Sequence, residues 1–345
     1  MFILENKIRK NIKGLKPYAS ARDEFSGDAD IYLDANENPF QNGMNRYPDP
    51  HQRLLRNTLA ELKSVDPAMI FTGNGSDEVI DLLMRMFCNP GVDNIITLPP
   101  TYGMYGVSAG INDVEVREVP LTSSFQPDIK AILANADGKS KLLFICSPNN
   151  PTANIVSGEI IVELLNKFEG LVVVDEAYID FCPSASSTGL LEKYPNLFIM
   201  QTLSKAWGLA GVRIGIGIGS HELIRVLDNI KPPYNISVLN AAAAVEALSD
   251  PQTMISKVDI LLAERVWLTN ALRELKSVIN IFDSDANFVL VRIQDADQVY
   301  RKLIEQKIVV RNRSSVVLCD QCLRITVGVP DENRNLIKAL HKLEA

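Results

Sequence analysis

Three features of the chain predict an α/β fold with a mainly parallel sheet, followed by a smaller α+β unit. Short apolar runs alternate with amphipathic stretches between residues 70 and 218, the pattern of βαβ units. Three of these runs, 142–145, 171–174 and 197–200, lead directly into polar groups: Ser147-Pro148-Asn149-Asn150, Asp175-Glu176-Ala177-Tyr178 and Ser204-Lys205. Open α/β sheets bind ligands at that end of their strands. No G-x-G-x-x-G turn follows the first strand, which argues against a dinucleotide fold.

Composition narrows the function. The 345 residues are 46% hydrophobic and 22% charged, as in an ordinary soluble globular protein of more than one domain. The net charge is −7 and no Lys/Arg-rich run occurs, so nucleic acid is not an expected partner and an anionic ligand must be captured locally. The N-terminal apolar run is too short for a secretion signal, and no stretch is long enough for a membrane span, so a cytoplasmic protein is expected. The five cysteines (Cys88, Cys146, Cys182, Cys319 and Cys322) are odd in number, and the first three lie beside apolar runs; reduced thiols are expected. Cys319 and Cys322 have C-x-x-C spacing but no second pair, and His51, His221 and His341 are scattered, so no metal site is expected.

In chain order, residues 1–40 are mixed and polar and read as an arm containing Tyr18. Residues 33–39, Leu-Asp-Ala-Asn-Glu-Asn-Pro, include Asn36 and suit turns, because Asn and Asp bond their own backbone. Tyr47 lies on a Pro-rich loop at 46–50. A strand at 69–73 turns through Asn74-Gly75-Ser76-Asp77 into a helix over 79–87, with Ser76 and Asp77 as helix-start residues. Such a start presents free N–H groups and a positive dipole end, which suits a phosphate. A strand at 94–98 ends in Pro99-Pro100-Thr101-Tyr102, where an aromatic could stack on a flat ring. Further strands are read at 114–120, 141–146, 171–176, 197–202 and 213–218, with helices at 127–135 and 157–168. A helical stretch from 238 to about 275 bridges to strands at 278–282, 287–293, 308–311 and 323–327, a helix at 297–306 and a closing helix from 331. The division is a 1–40 arm counted with the small domain, a 41–245 large domain and a 246–345 small domain.

Lys205 is the centre of the reading. It follows a buried strand and is hemmed in by Ser204, Trp207 and Gly208, with Arg213 close behind. Desolvation and a nearby cation favour the neutral, nucleophilic amine that a Schiff-base lysine needs. Ser204 and Arg213 together could hold a phosphate dianion. Taken alone, the stretch is equally a strand-end lysine reaching solvent; the polar ends of the neighbouring strands favour the first reading.

This constellation resembles the fold-type-I, pyridoxal-phosphate-dependent aminotransferases, from about Tyr18 to Gly328. The histidinol-phosphate branch of that family is the narrower likeness, on 33–39, Asn45-Arg46-Tyr47-Pro48, Pro100-Thr101-Tyr102-Gly103-Met104-Tyr105 and Leu323-Arg324-Ile325-Thr326-Val327-Gly328. The resemblance implies a seven-stranded, mainly parallel sheet and a homodimer in which Tyr47 reaches the partner's cofactor phosphate. It implies a cofactor held by Ser76, Asp77, Tyr102, Asn150, Asp175, Tyr178, Ser204, Lys205 and Arg213. Asp175, preferred to Glu176, keeps the ring nitrogen protonated, Tyr178 and Asn150 bond the ring oxygen, and Tyr102 rather than Tyr105 stacks on the ring. Arg324 is implied for the α-carboxylate of glutamate. Arg311, ahead of Arg313, is implied for the substrate phosphate, helped by Tyr18, and Asn36 is implied as a further substrate-binding residue. A threonine-phosphate decarboxylase-like lyase and an aromatic-amino-acid aminotransferase are the alternatives on this scaffold.

Overall fold

The computed structural model describes residues 2–16 and 30–344. Tyr18 lies outside the described residues.

The large sheet has seven strands in the order β1-β7-β6-β5-β4-β2-β3. They are β1 (Ile70–Asn74), β2 (Asn94–Thr97), β3 (Glu115–Glu118), β4 (Ser140–Cys146), β5 (Leu171–Asp175), β6 (Leu197–Thr202) and β7 (Ile214–Ile218). Neighbours pair in parallel from β3 through β6, while β7 runs antiparallel to both β6 and β1. Along the strands, side chains alternate between two apolar layers. Leu143, Ile145, Val172, Val174 and Ile199 face one layer, and Leu142, Phe144, Leu171, Val173 and Phe198 face the other. Both faces are therefore covered, which is why these strands read as unbroken apolar runs.

The second layer is closed by the helix Ser76–Phe87 and, at the chain's beginning, by Leu4, 7% exposed, with Phe2 and Ile8 beside it. The start of the arm is thus packed onto the large unit; Arg9 N–H donates to the carbonyl of Met86 at 3.0 Å.

The small sheet is antiparallel, ordered β10-β11-β9-β8, with β8 (Val278–Ile281), β9 (Phe288–Ile293), β10 (Arg311–Asn312) and β11 (Cys322–Thr326). Its apolar side packs under the helices Pro251–Arg273 and Pro330–Glu344 through Leu268, Leu272, Leu323, Ile325 and Leu336. The helical bridge differs from expectation. It is two helices, Val238–Leu248 and Pro251–Arg273, because Asp250 caps the second through Thr253 N–H and Pro251 occupies its first turn. The strand expected at 308–311 is only Arg311–Asn312, since Ile308 still bonds back to Leu303 in the turn that ends the preceding helix.

The two units meet at a small apolar joint. Tyr178, Phe181 and Ala206 of the large unit pack with Val258, Ala286 and Phe288 of the small one.

Candidate active site

The parallel strands bring their C-terminal ends to one edge of the large sheet. Because β7 is antiparallel, its beginning lies at the same edge, so Arg213 joins the residues that follow β1, β2, β4, β5 and β6. Topology thus gathers Ser76, Asp77, Tyr102, Asn150, Asp175, Tyr178, Ser204, Lys205 and Arg213 from positions spread over 138 residues (213 minus 75).

At the β1 end the chain turns through Gly75 at φ 76°, a left-handed value that favours glycine. A Cβ at Gly75 would strike the Arg213 guanidinium, and one at Gly215 would strike the backbone of Gly75 and Ser76. The two backbones can approach only because both positions are glycine. Gly75 is the N-cap of the helix, so Ser76 and Asp77 are its first helical residues and neither caps it with a side chain. They stand at the helix start, as expected, and Ser76 Oγ reaches the carbonyl of Gln201 at 3.5 Å. Asp77 is held between Tyr102 and Arg213, accepting from the phenol at 3.2 Å and lying 3.5 Å from the guanidinium. Arg213 is itself left-handed at φ 57° and also donates to the carbonyl of Ala210. Hydroxyls of Ser76 and Ser204, helix-start N–H groups and Arg213 form a cradle of the kind that binds an anion. Thr202 fixes Ser204, its Oγ1 accepting from Ser204 N–H and donating to Ser204 Oγ, both at 3.1 Å.

Lys205 is exposed as a residue, yet partly desolvated as expected. Its ammonium is nonetheless crowded: the ring of Tyr178 lies 5.4 Å away. Desolvation by these neighbours, and then the Arg324 guanidinium, lower its pKa from the ordinary lysine value. The neutral amine is therefore favoured, for the two reasons read from the sequence, with Arg324 outweighing Arg213.

Asp175 is 3% exposed at the end of β5. Its Oδ1 accepts from Ala177 N–H at 3.1 Å and its Oδ2 from the phenol of Tyr105 at 2.6 Å. Burial raises its pKa, while the Tyr105 and Ala177 hydrogen bonds oppose that rise. Glu176 points elsewhere, to Ser186, Ser187 and Gln201, as alternation along the strand requires. Tyr178 is buried and packs edge-on against Phe288 of the small unit at 5.1 Å.

Arg324 sits on β11 directly opposite Arg311 on β10. Residues two apart on adjoining antiparallel strands share a face, so Arg311, Arg313 and Arg324 line one side of the small sheet. Arg324 Nη1 donates to Asn150 Oδ1 at 2.6 Å, and its guanidinium stacks 5.3 Å from the Phe288 ring. The Nε atoms of Arg324 and Arg313 are buried without a hydrogen-bond partner, whereas Arg311 is exposed. Burial lowers the pKa of both Arg324 and Arg313, and neighbouring arginines add to the effect.

Two expected site residues lie apart from this group. Asn36, at φ 55°, and Tyr47 line a separate cleft of about 520 Å³ with Tyr234, Val238 and Leu239. Tyr47 stacks on Tyr234 at 4.5 Å, and its N–H donates to Glu37 Oε1 at 2.6 Å. The other Glu37 oxygen pairs with Arg46 at 2.7 Å. Two residues important to the arrangement went unread in the sequence, Glu37 as the anchor of the Tyr47 loop and Tyr105 as the partner of Asp175. The signal for the second was the spacing of Tyr102 and Tyr105, three residues apart as a helix begins. Among the described residues, no three His, Cys, Asp or Glu side chains are gathered as a metal site, and no helix is long and apolar enough to cross a membrane.

Sheet order, the single antiparallel strand and the lysine-bearing edge define a fold-type-I transferase. Residues 30–340 match the family described as aminotransferase class I and II, and the chain belongs to that family. It is 50% identical over 343 residues to the histidinol-phosphate aminotransferase of Cytophaga hutchinsonii, covering 98% of this chain and 99% of that protein. Among solved structures it resembles the histidinol-phosphate aminotransferase of Clostridium acetobutylicum, with a TM-score of 0.80 and 25% identity, covering 87% of this chain and 91% of the other. It also shares the fold of the Sinorhizobium meliloti enzyme of that name, in complex with pyridoxal-5'-phosphate, at a TM-score of 0.79 and 24% identity over 86% of this chain and 83% of the other.

Proposed function

We propose that this chain transfers the amino group of L-histidinol phosphate to 2-oxoglutarate, forming imidazole-acetol phosphate and L-glutamate in histidine biosynthesis, with pyridoxal phosphate as cofactor. The observation that carries the reading is a lysine with lowered pKa and a buried acid at one edge of the large sheet, met there by Arg324 of the small sheet through Asn150. The name carried by a relative of 50% identity over nearly its whole length supports the same substrate.

The residues fit the cofactor. The cradle after β1 is shaped by glycine so that backbone N–H groups and Arg213 meet; Ser76, Ser204 and Arg213 would hold the phosphate, with Asp77 orienting Arg213. Tyr102 would cover the ring, Asn150 and Tyr178 would bond its oxygen, and Lys205 would hold its aldehyde carbon. Bound there, the cofactor supplies an electron sink for bond breaking at the carbon that carries the substrate amine.

The chain's own residues do the rest. Asp175 keeps a proton on the ring nitrogen. Lys205, whose pKa is lowered, would take the proton from the amine-bearing carbon and return it on the acceptor. Arg324 forks onto the α-carboxylate of glutamate and 2-oxoglutarate. Arg311 reads the phosphate of histidinol phosphate, with Arg313 beside it and Tyr18 as a further contact. One arginine face thus serves two anions in turn.

The working form is a homodimer in the cytoplasm. Met44 and Leu239, each 61% exposed, line the cleft that holds Tyr47. A second copy would cover this apolar surface and receive Tyr47 at its cofactor phosphate.

An amine-donor screen tests the reaction. Glutamate should form from histidinol phosphate and 2-oxoglutarate. Carbon dioxide from threonine phosphate without glutamate would make the chain a lyase, and preference for phenylalanine would make it an aromatic-amino-acid aminotransferase.

A further inference from the structure

We infer that Tyr105 is a positioning residue, which holds the Asp175 carboxylate ionised and aimed at the ring nitrogen of the cofactor. The inference rests on the cofactor reading above.

Tyr105 is 0% exposed, at the start of the helix Met104–Ile111. Its ring stacks on Phe144 of β4 at 4.5 Å with an interplanar angle of 18°. It meets Tyr102 edge-on at 5.6 Å. Its rotamer is therefore fixed from two sides, and the phenol has one direction to point. There it donates to Asp175 Oδ2 at 2.6 Å, with the Cys146 thiol alongside.

Asp175 has two donors from the protein, one for each oxygen. Ala177 N–H belongs to the turn that follows β5 and comes with the fold. The Tyr105 hydroxyl is the side-chain donor. A carboxylate this deeply buried favours its neutral form unless hydrogen bonds stabilise the charge. A neutral Asp175 could not keep a proton on the ring nitrogen. The hydroxyl therefore decides which partner, acid or ring, carries that proton, while Tyr105 itself touches neither cofactor nor substrate.

Tyr105→Phe separates the hydroxyl from the packing, because the ring and its stack on Phe144 remain. The cofactor-loaded variant should show its ring-nitrogen signal, read by NMR with nitrogen-15-labelled pyridoxal phosphate, moved toward the unprotonated position. Cofactor affinity should fall, and kcat should fall on the order of ten- to a hundredfold, the scale of one lost charge-assisted hydrogen bond, with KM for both substrates within about twofold. In an Asp175→Asn background the same change should have almost no further effect on any of these, because Tyr105 acts through Asp175. An unmoved ring-nitrogen signal, or effects of the two substitutions that simply add, would overturn the inference while leaving the cofactor reading intact. Wild-type protein that binds no pyridoxal phosphate would bring down both.

Discussion

Arg324 Nη1 and Asn150 Oδ1 stand 2.6 Å apart, joining the small sheet to the loop after β4 across 174 residues of chain. The contact ties two tasks together. On the proposed reading Asn150 bonds the cofactor ring and Arg324 holds a carboxylate, so an anion arriving at Arg324 would compete with Asn150 for one guanidinium. Arg324 also bears on Lys205, as the second-largest cause of its lowered pKa.

Arg324→Ala should therefore raise the pKa of Lys205. The sign follows from charge: a neighbouring cation disfavours the ammonium, so its removal makes the ammonium easier to keep. In cofactor-free protein, acetylation of Lys205 followed across pH by peptide mass spectrometry should move its midpoint to higher pH. An unmoved midpoint would mean that crowding alone sets the lysine.

Lys205→Ala should abolish both turnover and covalent attachment of the cofactor. Wild-type protein should be yellow as purified, and borohydride should fix the label to Lys205. Label on any other lysine would refute the assignment.

The edge of the large sheet was legible because most of its candidate groups follow apolar runs while Arg213 precedes one, and a parallel sheet with one antiparallel strand brings those positions together. Lys205, Asp175 and Arg213 were found on that ground. Tyr105 was not, because it looks like core: its ring is fully buried, and only three-dimensional packing reveals that the hydroxyl faces Asp175 from 70 residues away. Ser76 and Asp77 were read as helix-start residues and do open the helix, while Gly75, able to take φ 76°, occupies the cap position before them. The brief β10 escaped because an apolar run at 308–310 reads as strand, yet Ile308 is used to close the preceding helix. The position of Tyr47 depends on Glu37, ten residues earlier, whose carboxylate gathers the Tyr47 N–H and Arg46 together.

Assembly should show in complementation. Lys205→Ala and Tyr47→Ala proteins, each inactive, should regain activity when mixed and refolded, because hybrid dimers would contain one intact site. Sedimentation should give twice the chain mass at working concentration. A fully active monomer would exclude the arrangement.

The three arginines should divide the two half-reactions. Arg324 is opposite Arg311 on adjacent strands, and both face the cleft with Arg313. Arg324 Nε is buried without a hydrogen-bond partner among the described residues, a donor that a carboxylate would satisfy. A bidentate charge-assisted contact is worth about 1.5–3 kcal/mol, so each loss should cost on the order of ten- to a hundredfold in kcat/KM. Arg324→Ala should depress the glutamate half-reaction. Arg311→Ala should depress the histidinol phosphate half-reaction and spare any transamination of phenylalanine, which carries no phosphate. Single-turnover absorbance changes measure the halves separately. Equal losses for phosphorylated and unphosphorylated amines in Arg311→Ala would move the phosphate contact to Arg313, whose buried Nε also has no hydrogen-bond partner, and Arg313→Ala should then show the selective loss instead.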